Sequence, residues 1–221
     1  MHPYTKGLIT LYKKHGNKEQ AEGAAAYMRN QFEFFGLKAT DWRNLFKTYT
    51  NKNLPSFTDV PLIVEELWSL PQRELQYAAI ELLALYKKEW TKEVISLIEF
   101  IIVNKSWWET VDHAATELTG PYFKLFSSET KRITGKWNSS DNFWLQRSSI
   151  MFQKKYKKDT DTALLSKYIL AHKKSKEFFV QKAIGWALRE YSYVDAEWVS
   201  DFVKQNKLAP LSEREALKRI K

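Results

Sequence analysis

The sequence contains no cysteine, and glycine and proline are scarce, with 7 and 6 residues among 221. Without cysteine the chain can form no disulfide, no thiolate metal site and no cysteine nucleophile. The few glycine and proline residues stand at the ends of apolar segments and not at the spacing of hairpin turns, which favours helices over strands. No stretch alternates apolar and polar residues for long enough to indicate a strand. The sequence therefore predicts an all-α protein.

A long hydrophobic run is also missing. The most apolar segment, from Val94 to Val103, is interrupted by Ser96 and Glu99 and is too short to span a bilayer. The N-terminal residues lack the apolar core of a signal peptide. We expect a soluble cytoplasmic protein with no membrane association.

Positive charge, in contrast, is in excess. The formal net charge is +9 and the isoelectric point is about 9.4, which favours an anionic partner such as nucleic acid or an acidic surface. Hydrophobic residues make up 44% of the chain and aromatic residues 15%, so there is enough apolar surface to bury a substantial core.

Helical periodicity runs through most of the chain. Before residue 60 it predicts helices near residues 4–14, 18–31 and 40–48. Farther along, one helix has an apolar stripe at spacings of three and four residues, formed by Leu75, Ala78, Ala79, Leu82, Leu83 and Tyr86. The linkers between these segments are short, and none is long enough to be a flexible tether between domains.

Polar side chains recur at a fixed distance. Asp112, Arg147 and Lys182 are 35 residues apart, and Gln76 stands 36 residues before Asp112. A period of this length in helical sequence is typical of stacked helix pairs, and equivalent positions of such repeats line up along one surface. We predict one domain over residues 1–221, an α-solenoid of HEAT-like repeats, curved, with a basic concave face that carries these four side chains.

The candidate site combines one acid, two indoles and several bases. Trp108 lies one helical turn before Asp112, and Trp186 and Arg189 follow Lys182 on one side of their helix. The helix of Arg147 adds Lys154. Basic side chains neutralise DNA phosphates, and a carboxylate among them is favourable where positive charge develops. Cleavage of an N-glycosidic bond produces such a charge on the sugar.

Simpler interpretations compete with this one. Asp112 could form only an ion pair with Arg147 of the next repeat and thereby join neighbouring repeats. Most tryptophans of helical repeats are core residues, and we expect this of Trp42, Trp68, Trp90, Trp137 and Trp198. Trp107 and Trp108 cannot both point inward from one helix, so one of them is exposed or packs at the helix start. The histidines show no metal-ligand spacing, and we expect neither a metal nor a cofactor.

The chain resembles the AlkD-like DNA alkylation repair glycosylases, a family with HEAT-like repeats. The resemblance extends over essentially the whole chain and is carried by four segments: residues 27–38 (YMRNQFEFFGLK), 106–112 (SWWETVD), 143–147 (FWLQR) and 179–191 (FVQKAIGWALREY). Two positions depart from the family pattern. Glu33 stands where a proline is expected, and Glu109 where aspartate is commoner.

The resemblance implies an enzyme that excises N3- and N7-alkylated purines from duplex DNA without flipping the nucleotide out of the helix. Asp112 would be the catalytic carboxylate, Trp108 and Trp186 would flank the deoxyribose, and Arg147 would contact the DNA backbone. Together with Arg147, we predict that Lys182, Arg189 and Lys154 bind DNA.

Two other functions stay open from the residues alone. One is a non-catalytic HEAT-repeat module that binds damaged or distorted DNA, in which Asp112 only pairs with Arg147. The other is a protein-binding scaffold that holds an acidic helix or peptide. We expect a monomer without an obligate protein partner, since the groove of a solenoid must admit a duplex.

Overall fold

The computed structural model describes residues 1–220, and within them the chain is almost entirely helical. The only strand-like pairing in this part of the chain is an isolated bridge between Glu33 and Gln72. The prediction of an all-α fold is confirmed. The chain divides into two compact units, of which the first spans Met1–Thr91 and the second begins at Lys92. The expectation of one continuous repeat domain stays a prediction.

The first unit contains five α-helices and one 3-10 turn, at Phe57–Asp59. The helices are α1 (Pro3–His15), α2 (Lys18–Tyr27), α3 (Ala39–Lys52), α4 (Val60–Ser69) and α5 (Arg73–Leu85). The stripe predicted on α5 is buried along its whole length, from Leu75 to Tyr86. It packs against α4, in which Ile63, Val64 and Leu67 are fully buried.

Helix α2 is shorter than predicted. It ends at Tyr27 because Arg29 and Asn30 both take left-handed backbone conformations, with φ of 56° and 55°. The chain beyond them is anchored to the start of α5. The Glu74 carboxylate accepts hydrogen bonds from the backbone N–H groups of residues 35–37, and the backbone N–H of Arg73 donates to the Glu33 carbonyl at 2.8 Å.

The second unit carries the remaining helices. These are α6 (Val94–Val103), α7 (Trp108–Ala114), α8 (Gly120–Leu125), α9 (Thr130–Asn138), α10 (Phe143–Met151), α11 (Thr162–Ala171), α12 (Phe178–Tyr191), α13 (Ala196–Asn206) and α14 (Pro210–Leu217). A π-helical turn, Ala115–Thr119, joins α7 to α8. Helix α10 packs against α7, α9 and α12, and α12 packs in turn against α14. This order brings the polar positions of α7, α10, α12 and α14 next to one another.

One hydrogen bond recurs along the chain, in a register that differs by one residue from the one read from the sequence. Gln76, Gln146 and Gln181 each donate from Nε2 to the carbonyl oxygen six residues earlier, at 2.9, 2.7 and 2.8 Å. Gln146 follows Gln76 by 70 residues, which is two repeats, and Gln181 follows Gln146 by 35. Gln76 is therefore equivalent to Gln146, the residue before Arg147, and not to Arg147 itself. Gln76 is fully buried and fastens the end of α4 to α5. Its expected place on a surface with Asp112 and Arg147 was wrong.

Candidate functional site

The site begins on α7, which Trp108 opens and on which Asp112 lies one turn later. Trp107, the residue before the helix, is half-buried among aromatic rings, 5.3 Å from Phe179 and 6.2 Å from Trp144 between centroids. Packing at the helix start is one of the two outcomes expected for this tryptophan pair. Trp108 is also half-buried, and helical geometry places it on the same side as Asp112.

A bidentate ion pair joins Asp112 to Arg147 of α10. The Arg147 Nε donates to Oδ1 and its Nη2 to Oδ2, each at 2.8 Å. This fork geometry fixes the carboxylate plane and is among the stronger forms of ion pair in proteins. The Asp112 side chain keeps 14% of its surface exposed, whereas that of Arg147 keeps 1%. Only the carboxylate of this pair can therefore meet a ligand.

Arg147 has little capacity left for DNA. Its remaining terminal nitrogen, Nη1, donates to the Phe179 carbonyl oxygen at 2.5 Å, so every branch of the guanidinium is bound within the protein. A buried guanidinium whose three nitrogens are all bound within the protein does not support the contact with the DNA backbone that the resemblance implied. The geometry suits a different role, which is to hold and orient Asp112.

Burial acts on the charge of Asp112. Removal from water raises the pKa of Asp112, and the adjacent Arg147 guanidinium and the positive charge of Lys154 oppose this rise. The guanidinium thus favours the ionised form of a carboxylate that burial alone would drive towards the protonated form. The Nη2 of Arg147 also lies 2.7 Å from Oδ1, so Oδ1 faces two nitrogens of the guanidinium, whereas Oδ2 accepts from Nη2 and retains a lone pair.

Trp186 of α12 lies beside this pair. The Cζ of Arg147 is 5.2 Å from the centroid of the Trp186 ring, and the Nζ of Lys182 is 5.0 Å from it. The Cζ of Arg189 is 6.0 Å away. Cations at these distances are attracted to the indole face. Arg147 therefore neighbours both Asp112 and Trp186 in the structure.

Lys182 and Arg189 share one buried acid, Glu215 of α14. Lys182 Nζ lies 2.9 Å from Glu215 Oε1, and Arg189 Nη1 lies 3.1 Å from Oε2. The side chains of both cations stay partly exposed, Lys182 at 21% and Arg189 at 32%, so they can still approach an anion. Sequence reasoning missed Glu215. A signal existed, because Ser212, Glu215 and Ala216 follow the spacing of a buried helical face.

Lys154 lies apart from this network. Helix α10 ends at Met151, so Lys154 lies in the turn after it and not on the helix of Arg147 as expected. It is half-buried and lines a cavity of about 540 Å³ with Lys157, Glu190 and Tyr191. Its charge acts on Asp112 without a direct contact. DNA binding by Lys154, Lys182 and Arg189 stays a prediction.

The tryptophans expected in the core are mostly there. Trp42, Trp68, Trp90 and Trp137 are buried. Trp198 is only half-buried and packs between Tyr191 and Phe202, with ring centroids at 5.3 and 5.1 Å. The expectation for Trp198 was therefore wrong, because its ring packs against Tyr191 of α12 and Phe202 of its own helix and is not fully enclosed.

Among residues 1–220, no helix is long and apolar enough to cross a membrane. In the same range, no cluster of three or more histidine, aspartate or glutamate side chains could hold a metal ion.

Comparison with known proteins indicates the family of the chain. The sequence model of the family described as "DNA alkylation repair enzyme" matches residues 8–220. A solved structure, described as a predicted DNA alkylation repair enzyme from Enterococcus faecalis, superposes with a TM-score of 0.86 at 31% identity, covering 93% of this chain and 96% of that one. No curated protein sequence matches significantly. The family match over nearly the whole chain, on a helical fold that unites Asp112, Arg147 and Trp186, shows that the chain belongs to the DNA alkylation repair enzyme family.

Proposed function

We propose that this member of the family is a DNA glycosylase that hydrolyses the N-glycosidic bond of N3- and N7-alkylated purines in duplex DNA. The observation that carries the proposal is the partly exposed Asp112 carboxylate, which Arg147 holds at two points beside the Trp186 ring. A carboxylate fixed in this way is a preorganised negative charge, which stabilises a transition state without reorientation during the reaction.

The substrate chemistry fits a site with a single acid. An N3- or N7-alkylated purine already carries a positive charge, so it leaves as a neutral base without a general acid. As the bond from C1′ to the base nitrogen breaks, its electron pair goes to the base and the positive charge passes to the sugar. The Asp112 carboxylate and the face of an indole ring both stabilise that charge.

Water completes the reaction. Its oxygen forms the new bond to C1′ on the face opposite the departing base, and one of its protons must be removed. The lone pair that Asp112 Oδ2 retains can accept this proton, and burial raises the pKa of Asp112 and makes it a better base. The products are a free alkylpurine and an abasic site.

This mechanism requires no pocket that reads the edge of the base. Selectivity follows from the lability of the modified glycosidic bond, so the nucleotide can remain stacked in the duplex, unlike the substrate of most enzymes that act on bases. The exposed parts of Lys182, Arg189 and Lys154 would bind phosphates on either side. The same proposal includes action as a monomer in the cytoplasm without an obligate protein partner.

A non-catalytic DNA-binding module has one observation in its favour. Asp112 and Arg147 do form the ion pair that such a module would use to join neighbouring repeats. The two functions differ in the fate of the damaged base, because a binding module retains it and a glycosylase releases it.

The test is a single-turnover assay on a duplex that contains one N7-methylguanine. The proposal expects release of free base and formation of an alkali-labile abasic site by the wild type. Asp112→Asn should abolish most of this release, whereas Asp141→Asn, a matched change at an exposed position just before α10, should leave it unchanged. Tight binding of the duplex without release by the wild type would assign the protein to the binding class.

A further inference from the structure

Glu215 is a carboxylate on the buried face of the last helix, outside the repeat positions that supply the rest of the site. Its side chain is 10% exposed. The Trp186 indole N–H donates to Oε2 at 3.1 Å, and the same oxygen accepts from Arg189 Nη1 at 3.1 Å. The other oxygen accepts from Lys182 Nζ at 2.9 Å. One acid thus binds the Trp186 indole and both neighbouring cations.

The backbone holds Glu215 in this place. Helices α12 and α14 approach so closely at Gly185 that an added Cβ would lie 2.4 Å from the Cβ of Glu215 and 2.9 Å from the Ser212 carbonyl oxygen. Ser212 also donates from its hydroxyl to the Gln181 carbonyl at 2.9 Å. The carboxylate therefore reaches Trp186 from a fixed position and not from a mobile surface helix.

We propose that Glu215 is a positioning residue for the reaction, which acts through Trp186. This inference rests on the proposed glycosylase function. The hydrogen bond to Nε1 fixes the plane of the indole ring that would face the sugar. By pairing with Lys182 and Arg189, Glu215 also offsets two positive charges that lie 5.0 and 6.0 Å from the ring centroid.

This arrangement separates catalysis from affinity. Without Glu215, Lys182 and Arg189 would be free to bind phosphates, and DNA affinity would be maintained or increased. The same two charges would then repel the positive sugar of the transition state, and the indole would lose its fixed orientation. Loss of the carboxylate should therefore slow the bond cleavage without weakening the complex. A purely structural residue would not act on the two steps in opposite directions.

The first experiment compares Glu215→Gln with Glu213→Gln, which makes the same change of charge on the same helix. The amide of Glu215→Gln has one acceptor oxygen and turns an NH₂ group towards the cations. We expect single-turnover excision of N7-methylguanine from saturated duplex to be roughly 10- to 100-fold slower, as for misplacement of a reacting group. Duplex affinity should be equal or higher, with a steeper dependence on salt. Glu213→Gln should match the wild type in rate.

A second measurement does not depend on activity. In protein labelled with ¹⁵N-indole tryptophan, the Trp186 signal is assigned by its loss in Trp186→Phe. Its indole proton should move upfield in Glu215→Gln, because a hydrogen bond to a carboxylate deshields the proton more than one to an amide. The signal in Glu213→Gln should not move.

Trp186→Phe also serves as a second variant should Glu215→Gln fold poorly, since it removes the N–H donor and keeps the carboxylate. We expect it to slow excision, and in that background Glu215→Gln should slow excision by less than it does in the wild type, because only the effect of the two released charges remains. Equal rates for Glu215→Gln and wild type, or fully additive effects with Trp186→Phe, would overturn the positioning role. If the wild type releases no base, the glycosylase proposal fails instead, and the proton shift still reports whether Glu215 holds the indole.

Discussion

Replacement of Asp112 by asparagine tests both the chemical and the structural role of the carboxylate. The change keeps the size of the side chain and one acceptor oxygen, but it removes the negative charge that faces Arg147. Because the Arg147 side chain is only 1% exposed, its charge cannot gain compensating hydration. A folding defect and a catalytic defect are therefore both expected, and they must be measured separately.

The structural cost follows from the burial of the pair. Removal of one partner of a buried ion pair costs about 3–5 kcal/mol. Asp112 keeps 14% exposure and asparagine can still accept from one branch of the fork, so we expect about 2–3 kcal/mol, below that range. For a chain of this length such a loss lowers the melting temperature by roughly 4–12 °C. Thermal unfolding followed by circular dichroism measures it.

The catalytic cost is expected to be larger. Removal of a preorganised electrostatic group slows an enzyme by roughly 10²–10³-fold. The assay is single-turnover release of N7-methylguanine at a temperature well below the melting point of the variant, with duplex in a range that saturates both proteins. Duplex affinity should be equal or slightly higher, because the variant carries one negative charge fewer.

Two results would refute this reasoning. An unchanged excision rate in the folded variant would remove Asp112 from the mechanism and leave the ion pair as a purely structural contact. An unchanged melting temperature would show that the charge of Arg147 is compensated by some other group, contrary to the contacts of its guanidinium.

Three further outcomes are expected. Arg147→Lys loses the two-point contact with Asp112, so the pKa of Asp112 should rise further. Asp112 would then be protonated at a higher pH, and the acid limb of the pH–rate profile should move to higher pH. An unmoved limb would argue against an effect of Arg147 on the ionisation of Asp112. Trp108→Ala should slow excision with little change in melting temperature, whereas a large drop would place Trp108 in the core. Gly185→Ala should destabilise the protein by about 1–3 kcal/mol through overpacking. In the control, Gly23→Ala, no atom lies within 4 Å of the new Cβ, and the change should stabilise α2 by about 0.5–1 kcal/mol. A Gly185→Ala variant more stable than Gly23→Ala would contradict the close packing of α12 against α14.

Much of the site was accessible from the sequence because helical repeats convert spacing into proximity. Asp112 and Arg147 are separated by one repeat, and that period correctly predicted that they meet. Burial could not be read in the same way. A surface cation and a buried cation would stand at the same repeat spacing, so the sequence could not show that Arg147 is enclosed by Asp112 and the Phe179 carbonyl. Its expected contact with DNA therefore found no support in the structure.

Glu215 shows a second kind of limit. It lies 33 residues after Lys182, on a helix that does not continue the period, so no repeat argument points to it. Its three partners on α12 are defined only once α14 packs against Gly185. The register of Gln76 has a similar cause, since only the hydrogen bonds to carbonyl oxygens six residues earlier align it with Gln146 and Gln181.

The sequence by itself determined the helical fold, the repeat length and the chemical types at the site, because apolar periodicity and polar spacing are local properties of the chain. The tertiary structure alone decided which charges are exposed and which neutralise each other. Burial and ion pairing depend on the approach of helices that are far apart in sequence, as with α7 and α10 around Arg147 and α12 and α14 around Glu215.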